Sequence, residues 1–186
     1  MTSEPRERML TVTWNDPRPD AALMRRVNGL DYLRSTFPPG IEKAAPIGRL
    51  LQIYPTEFES GFAAFEAVPA EQHYNPIGSV HGGFAATLLD SAIGCAIHSR
   101  LAAGRSYTTL DLRVSYVKAI RIDSGPLRCE ARTLSVGARV ATAEGRVMDR
   151  DGRLCAHGSA TCLVFDLPPE AKSPPTSGQN DVPSVP

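Results

Sequence analysis

The chain has 186 residues, and its 20 Lys and Arg residues are balanced by 20 Asp and Glu residues, so the formal net charge is zero. This balance gives no electrostatic reason to expect a polyanion such as nucleic acid as the main partner. Apolar residues make up 42% of the chain, which is ordinary for a soluble globular protein. The length suits one domain with short appendages.

The first residues and the cysteines bear on the cellular compartment. The start, MTSEPRERML, is charged and lacks an apolar signal region, and no run of about 18 apolar residues occurs that could span a membrane. The four cysteines, Cys95, Cys129, Cys155 and Cys162, form no CxxC pair and show no zinc-binding spacing. We therefore expect a cytoplasmic protein with reduced, buried thiols, without a metal, a cofactor or a membrane partner.

The N-terminal part predicts a helix in front of the main domain. Residues 1–19 mix charge and proline, and we expect them to be flexible. From Asp20, a plausible N-cap, apolar residues recur at helical spacing until the Phe37-Pro38-Pro39-Gly40 stretch ends the pattern. We assign residues 20–47 to an N-terminal helical extension.

Residues 48–166 predict one domain built from two strands, a long helix and four further strands. Turn sequences such as Asp151-Gly152 join neighbouring strands as hairpins, which requires an antiparallel sheet. The fold class is therefore α+β, with the sheet packed on a long central helix. Residues 167–186 are dominated by proline and polar residues and predict a disordered tail. The predicted strands cover 50–58, 61–69, 107–117, 127–135, 139–149 and 153–165, and the central helix covers 81–103.

The strand that follows the long helix alternates in sequence with a period of two. Strict alternation predicts that Thr109, Asp111 and Arg113 lie on one face. The apolar side chains at 110, 112 and 114 and Tyr116 would then lie on the other.

The long helix is apolar on nearly every side from Phe84 to Leu101, and such a helix is normally buried all round. One six-stranded sheet cannot cover every side, so we expect a second subunit to cover the rest. Asp90 lies in the middle of this helix, where a buried carboxylate is costly unless it is paired or used. Its two interpretations are a locally satisfied carboxylate and a functional one.

The same helix opens with His81-Gly82-Gly83. Glycine is a poor helix former, so two glycines here favour close approach of another molecule to the backbone. The free N–H groups and the positive end of the helix dipole would stabilise an oxygen that gains negative charge, such as a thioester carbonyl. A tight loop-to-helix junction is the alternative.

Helix geometry separates these two features within one chain. Asp90 follows His81 by nine positions in sequence, which is about half a turn out of phase and ~13.5 Å along the axis. One chain therefore cannot bring both to the same substrate, whereas two antiparallel helices related by a two-fold axis can. The pattern predicts a homodimer with two equivalent shared sites.

These motifs together resemble the hotdog-fold thioesterases of the phenylacetic-acid-degradation (PaaI-type) group. The resemblance is carried by NPIGSVHGG at 75–83, LLDSA at 88–92 and TLDLRVSY at 109–116. It covers about 48–165, and the GLDYL segment at 29–33 resembles an N-terminal extension common in the group. It implies an antiparallel sheet wrapped around the central helix and an acyl-CoA thioesterase that forms a homodimer, and from it a homotetramer.

The resemblance also implies roles for individual residues. Asp90 corresponds to the acid that acts as nucleophile or general base, and the Gly82 N–H, helped by Gly83, to the oxyanion contact. Asn75 resembles the polar residue that positions the carbonyl or the attacking water. His81 resembles the histidine at the helix entry, which orders the loop or transfers protons.

Six further positions are candidates at or near the site. Thr109 resembles the hydroxyl that places the water or the acid, and Thr108, one residue away, would take this role if the register slipped. Gly94 stands where some relatives carry a polar residue, and we expect it to widen the acyl pocket. Arg139 is a candidate contact for the CoA phosphates, as are Arg132 and Lys118, although solvated surface charge explains all three equally well.

The predicted function is hydrolysis of an aromatic or short- to medium-chain acyl-CoA to the free acid and CoA, with the acyl group between the subunits. Three alternatives remain. A non-catalytic acyl-CoA-binding module would not need Asp90. A hotdog hydratase or dehydratase would pair a catalytic histidine with an acid in a different sequence context. A structural dimer with a decayed site would not retain this set of residues.

Overall fold

The computed structural model describes residues 7–18 and 20–168. Within these residues, three helices are followed by two strands, a long fourth helix and four further strands, and three short 3-10 turns lie in the connecting loops. The helices are α1 (Ala21–Arg26), α2 (Gly29–Thr36), α3 (Pro46–Leu51) and α4 (Gly82–His98). The strands are β1 (Ile53–Glu59), β2 (Phe62–Ala67), β3 (Arg105–Tyr116), β4 (Leu127–Val136), β5 (Val140–Met148) and β6 (Leu154–Asp166).

All six strands form one antiparallel sheet in the order β1-β2-β4-β5-β6-β3. The predicted α+β class, with an antiparallel sheet around a long central helix, is confirmed. α4 packs against one face of this sheet and contacts all six strands, and its residues Leu88, Leu89, Ile93 and Ile97 are fully buried. Their burial against the inward side chains of the strands provides the main hydrophobic stabilisation.

The predicted single helix after Asp20 is in fact two helices. Asp20 caps α1, since its side chain accepts the Leu23 N–H at 2.8 Å, as the sequence predicts. The chain then becomes extended at Val27, and Asn28 caps a second helix by accepting the Asp31 N–H. An asparagine favours an N-cap over a helix interior because its side chain competes for backbone hydrogen bonds.

The extension packs directly on α4 and supplies part of the cover that we expected only from a second subunit. The Gly29 N–H donates to the Leu101 carbonyl at 2.9 Å. A Cβ atom at Gly29 would lie 1.7 Å from the His98 carbonyl oxygen, so only glycine allows this close approach. The C-terminal half of α4 is thereby enclosed, whereas Asp90 and Ser91 remain half-exposed.

A β-bulge between Thr109 and Asp111 interrupts the alternation of β3. The extra residue is Leu110, whose side chain is 59% exposed. Because the bulge shifts the parity of the strand, Thr109 before it and Leu112 after it both face α4. The predicted assignment of Thr109 and Leu112 to opposite faces is therefore wrong.

Several expectations concern residues outside those described. The structure gives no account of 1–6, Pro19 or 169–186, so the predicted disordered tail lies outside the described residues except for 167–168. Residues 7–18 contain no helix or strand, and the Arg49 side chain donates to the Thr13 carbonyl at 3.0 Å. The flexibility of 1–19 stays a prediction. None of the described helices is long and apolar enough to cross a membrane.

Candidate active site

Asp90 is held by a hydroxyl from the neighbouring strand. The Thr109 hydroxyl donates to Asp90 Oδ1 at 3.0 Å. Thr109 lies two residues after Tyr107 and before the bulge, so ordinary strand alternation turns both side chains towards α4. Thr108 is exposed and makes no hydrogen bond to Asp90. Asp90 is half-buried, so its carboxylate has one fixed partner and one side open to a reactant.

Cys95 also lies near Asp90 but is a poor nucleophile. Burial, with the Asp90 charge adding to it, raises the pKa of the Cys95 thiol to about 12. At neutral pH this residue is therefore a thiol, and only a thiolate would attack a thioester. Of these two side chains, Asp90 therefore remains the candidate reactive group.

Gly94, one turn after Asp90, makes room for Tyr107. A Cβ atom at Gly94 would lie 2.2 Å from the Tyr107 hydroxyl oxygen. Burial raises the pKa of this tyrosine well above its ordinary value, so the phenol stays neutral. The space beside Gly94 is thus occupied by Tyr107, and widening of an acyl pocket at Gly94 would require the ring to move.

The start of α4 leaves one backbone donor free. His81 is the N-cap, and its Nδ1 accepts the Gly83 N–H at 2.9 Å. The Gly82 N–H, by contrast, has no acceptor among the described residues. Of the two predicted glycines, Gly82 therefore offers its N–H to a ligand, while Gly83 uses its own for the cap.

Tyr116 packs tightly against the N-terminus of α4. Its hydroxyl donates to the Gly82 carbonyl at 3.1 Å, and a Cβ atom at Gly82 would lie only 3.0 Å from the Tyr116 ring. Glycine at position 82 therefore allows the strand and the helix to approach each other.

The loop before α4 is braced by Asn75 and His73. Asn75 Oδ1 accepts the Ile77 N–H at 3.0 Å, and its amide nitrogen donates to the Ser79 hydroxyl at 3.1 Å. His73 accepts the His81 N–H through its carbonyl at 2.8 Å, and its ring stacks on Phe84 at 4.6 Å between centroids. These contacts fix the position at which the free Gly82 N–H is presented.

Asp90 and Gly82 of one chain line different pockets. Asp90 borders an apolar cavity of about 510 Å³, and Gly82 borders a cleft of about 270 Å³ with mixed polar and apolar walls, together with Asn75, His81 and Lys118. No residue lines both. The two residues are eight positions apart on α4, or ~12 Å along the axis, and the separate pockets agree with the predicted separation.

The three basic candidates lie in different places. Lys118 borders the cleft at Gly82 and forms an ion pair with Asp149. Arg132 lies over the Phe62 ring at 4.4 Å, and Arg139 is exposed at the turn between β4 and β5. Both arginines are at the end of the sheet nearest the C-terminus of α4. Within one chain, therefore, only Lys118 of these three lies beside Gly82.

Sequence reasoning did not identify Tyr107, Tyr116, Cys95 and His73 as parts of the site. Glycine in the interior of α4 was the one available signal, because Gly94 costs helix stability unless a neighbour needs its space. No group of three or more His, Cys, Asp or Glu side chains suited to a metal ion occurs within 7–18 and 20–168.

This arrangement of sheet, helix and site defines the hotdog class of fold, and comparison with known proteins agrees. A family model described as the thioesterase superfamily matches residues 77–156. A solved protein of the thioesterase superfamily is 30% identical, with a TM-score of 0.60 over 73% of this chain and 97% of that one. A putative phenylacetic acid degradation-related thioesterase from Ralstonia eutropha is 28% identical, with a TM-score of 0.59 over 66% of this chain and 92% of that one.

The chain belongs to the thioesterase superfamily. This membership supports a thioester hydrolase. A hypothetical thioesterase from Streptococcus pneumoniae, solved with coenzyme A, shares the fold at 21% identity, with a TM-score of 0.56 over 62% of this chain and 90% of that one. The chain spans 44% and 66% of the lengths of the two curated relatives that it matches, both putative esterases.

Proposed function

We propose that the protein hydrolyses an acyl-CoA thioester to the free acid and CoA, with Asp90 as the reacting carboxylate. One observation is the main support for this proposal. The carboxylate is fixed by Thr109 at 3.0 Å on the wall of an apolar cavity. An acyl chain can enter such a cavity while its carbonyl carbon stays at the carboxylate.

The chemistry needs an electrophile that is polarised and a nucleophile that is positioned. The Gly82 N–H, assisted by the dipole of α4, stabilises the oxyanion that forms on the thioester carbonyl. Asp90 attacks the carbonyl carbon itself or deprotonates a water that attacks it. In both routes the C–S bond breaks, CoA leaves as the thiolate and takes up a proton, and water supplies the second oxygen of the acid.

The proposal assigns the two groups to different subunits of a homodimer. The ~12 Å axial separation of Gly82 and Asp90 on one straight helix supports this assignment, as do their separate pockets. β3 is a 12-residue edge strand whose outer edge has no partner among the described strands, and such an edge favours pairing with another strand. Leu110 and Tyr116, 59% and 58% exposed, would then be covered. Pairing of two such dimers would give the tetramer.

The CoA portion would lie on the polar side of the site. Lys118, in the cleft at Gly82, would contact a phosphate of CoA. Arg139 or Arg132 of the other subunit would contact the same phosphate. The fold relative that was solved with coenzyme A supports this substrate class. The proposed reaction uses no metal or other cofactor, and the proposal keeps the protein in the cytoplasm.

Free thiol release from a panel of aromatic, short and medium acyl-CoAs tests the proposal. We expect turnover by the wild type and a fall of about a hundredfold or more in Asp90→Asn, which corresponds to roughly 2.7 kcal/mol of transition-state stabilisation. Asn keeps the size and the hydrogen bond from Thr109 but not the basicity. A folded wild type that binds these esters and releases no thiol would be a binding module, and the hydrolase proposal would fail.

A further inference from the structure

The N-terminal extension lines one side of the apolar cavity that Asp90 borders. One wall is the face of α4 that carries Asp90, Cys95 and His98, and β1 and β2 contribute Ile53 and Phe65. The volume of about 510 Å³ is in the range of small-molecule sites. The extension provides the opposite wall through Met24, Tyr32, Leu33, Phe37 and Ala44.

The cavity is uncharged away from Asp90. His98 is 5% exposed and its Nδ1 has no hydrogen-bond partner among the described residues. Burial lowers the pKa of His98 to about 4, so its ring is neutral at physiological pH. Cys95 is a neutral thiol for the same reason. A ligand that extends from Asp90 into this cavity must therefore be uncharged and mainly apolar along its length.

Asp90 and His98 both line the cavity from α4, and they lie two turns, or ~12 Å, apart along the helix axis. The His98 ring packs beside two aromatic rings, with centroid distances of 5.5 Å to Tyr32 and 5.7 Å to Tyr107. An extended chain advances roughly 1.2 Å per bond, since three backbone bonds span ~3.3–3.6 Å. The distance therefore accommodates about ten bonds.

The extension lies outside the segment that the thioesterase family model matches, residues 77–156. The matched segment supplies Asp90 and the α4 wall, whereas Tyr32, Leu33 and the other residues of α1–α3 supply the opposite wall. Both walls come from one chain. This arrangement differs from the expectation that the acyl group lies between subunits.

We propose that the extension and α4 of the same chain form the acyl pocket, and that this pocket selects straight, uncharged medium-chain acyl groups of about ten carbons. The inference rests on the proposed acyl-CoA hydrolysis and specifies its substrate class. Leu33 on the extension and Cys95 on α4 are then specificity-determining residues, because they face the same acyl chain from opposite walls.

Steady-state kinetics with saturated acyl-CoAs from two to sixteen carbons tests this pocket. In the wild type, kcat/KM should rise by roughly fourfold per methylene up to about ten carbons and then fall. Cys95→Phe and Leu33→Phe fill the cavity from opposite sides. Each should move the optimum to shorter chains and lower kcat/KM for the ten-carbon ester at least tenfold relative to kcat/KM for acetyl-CoA. Leu134→Phe, at a surface position that is 61% exposed, is the matched control and should keep the wild-type profile.

Binding of decan-1-ol, an uncharged ten-carbon probe, measured by titration calorimetry, separates this inference from the hydrolysis itself. If no ester is hydrolysed but decan-1-ol binds the wild type and not the two cavity variants, the hydrolase proposal fails and the pocket stands. If esters are hydrolysed with an optimum that neither cavity variant moves, the pocket assignment is overturned and the hydrolase proposal stands. A wild-type optimum at acetyl-CoA, with no binding of decan-1-ol, also overturns the pocket.

Discussion

Replacement of Thr109 by valine isolates the one fixed contact of the proposed catalytic carboxylate. Valine keeps the shape and β-branching of threonine but cannot donate the 3.0 Å hydrogen bond to Asp90 Oδ1. A hydrogen bond to a charged group contributes about 1.5–3 kcal/mol. If this bond holds the carboxylate in its reacting orientation, its loss should lower kcat/KM by roughly 10- to 150-fold. The stability should change by less, because Asp90 is half-exposed and water can replace the hydroxyl.

Thr108→Val is the matched control, since Thr108 is the adjacent residue of β3 and is exposed. The assay is kcat/KM for thiol release in both variants, with thermal unfolding to confirm that each is folded. We expect Thr108→Val to stay within about twofold of wild type. Equal losses in the two variants, or a Thr109→Val enzyme as active as wild type, would refute the assignment of Thr109 as the residue that positions Asp90.

Three further substitutions test the packing around the site. Gly94→Ala gains about 1 kcal/mol of helix propensity but places a Cβ atom 2.2 Å from the Tyr107 hydroxyl. Denaturant unfolding should therefore show that the free energy of unfolding falls by up to about 2 kcal/mol. Adding Tyr107→Leu to this variant should restore the lost stability. Gly29→Ala brings a Cβ atom 1.7 Å from the His98 carbonyl, and hydrogen exchange should show α2 losing protection because backbone cannot yield there. His98 has a lower pKa in the folded chain, about 4, than the unfolded value of 6.5. The unfolded chain therefore binds the extra proton between these pH values, and stability that is complete above pH 6.5 should fall by about 3 kcal/mol as the pH drops through 4. His98→Leu should lack this dependence in unfolding measured at pH 7.5 and 4.5.

The sequence predicted the features that depend on local pattern. Period-two stretches and turn residues located all six strands to within a few residues, and the apolar helix with Asp90 at its centre identified the core element. Helix geometry alone separated Gly82 from Asp90, and the two distinct pockets agree with that separation. These predictions succeeded because they need only the rise, the turn angle and the polarity of neighbouring residues.

The features that the sequence did not predict depend on contacts between distant segments. The bulge at Leu110 follows from how β3 pairs with β6, and strict alternation therefore placed Thr109 on the wrong side of Leu112. His81 takes the Gly83 N–H, which leaves Gly82 as the free donor, although both glycines look equivalent in sequence. The cavity depends on how the extension docks through Gly29, and periodicity carries no information about docking.

Purified mixed dimers test the central claim that one site takes Asp90 from one subunit and the Gly82 N–H from the other. One chain carries Asp90→Asn and the other Gly82→Pro, each with its own affinity tag. Proline is tolerated at the first position of a helix and removes only the N–H, and Gly82→Ala controls for the added Cβ atom beside Tyr116.

We predict that each parent homodimer is inactive in thiol release and that the mixed dimer has about half of the wild-type rate, because one of its two sites receives both native groups. A mixed dimer as inactive as its parents would contradict the shared site.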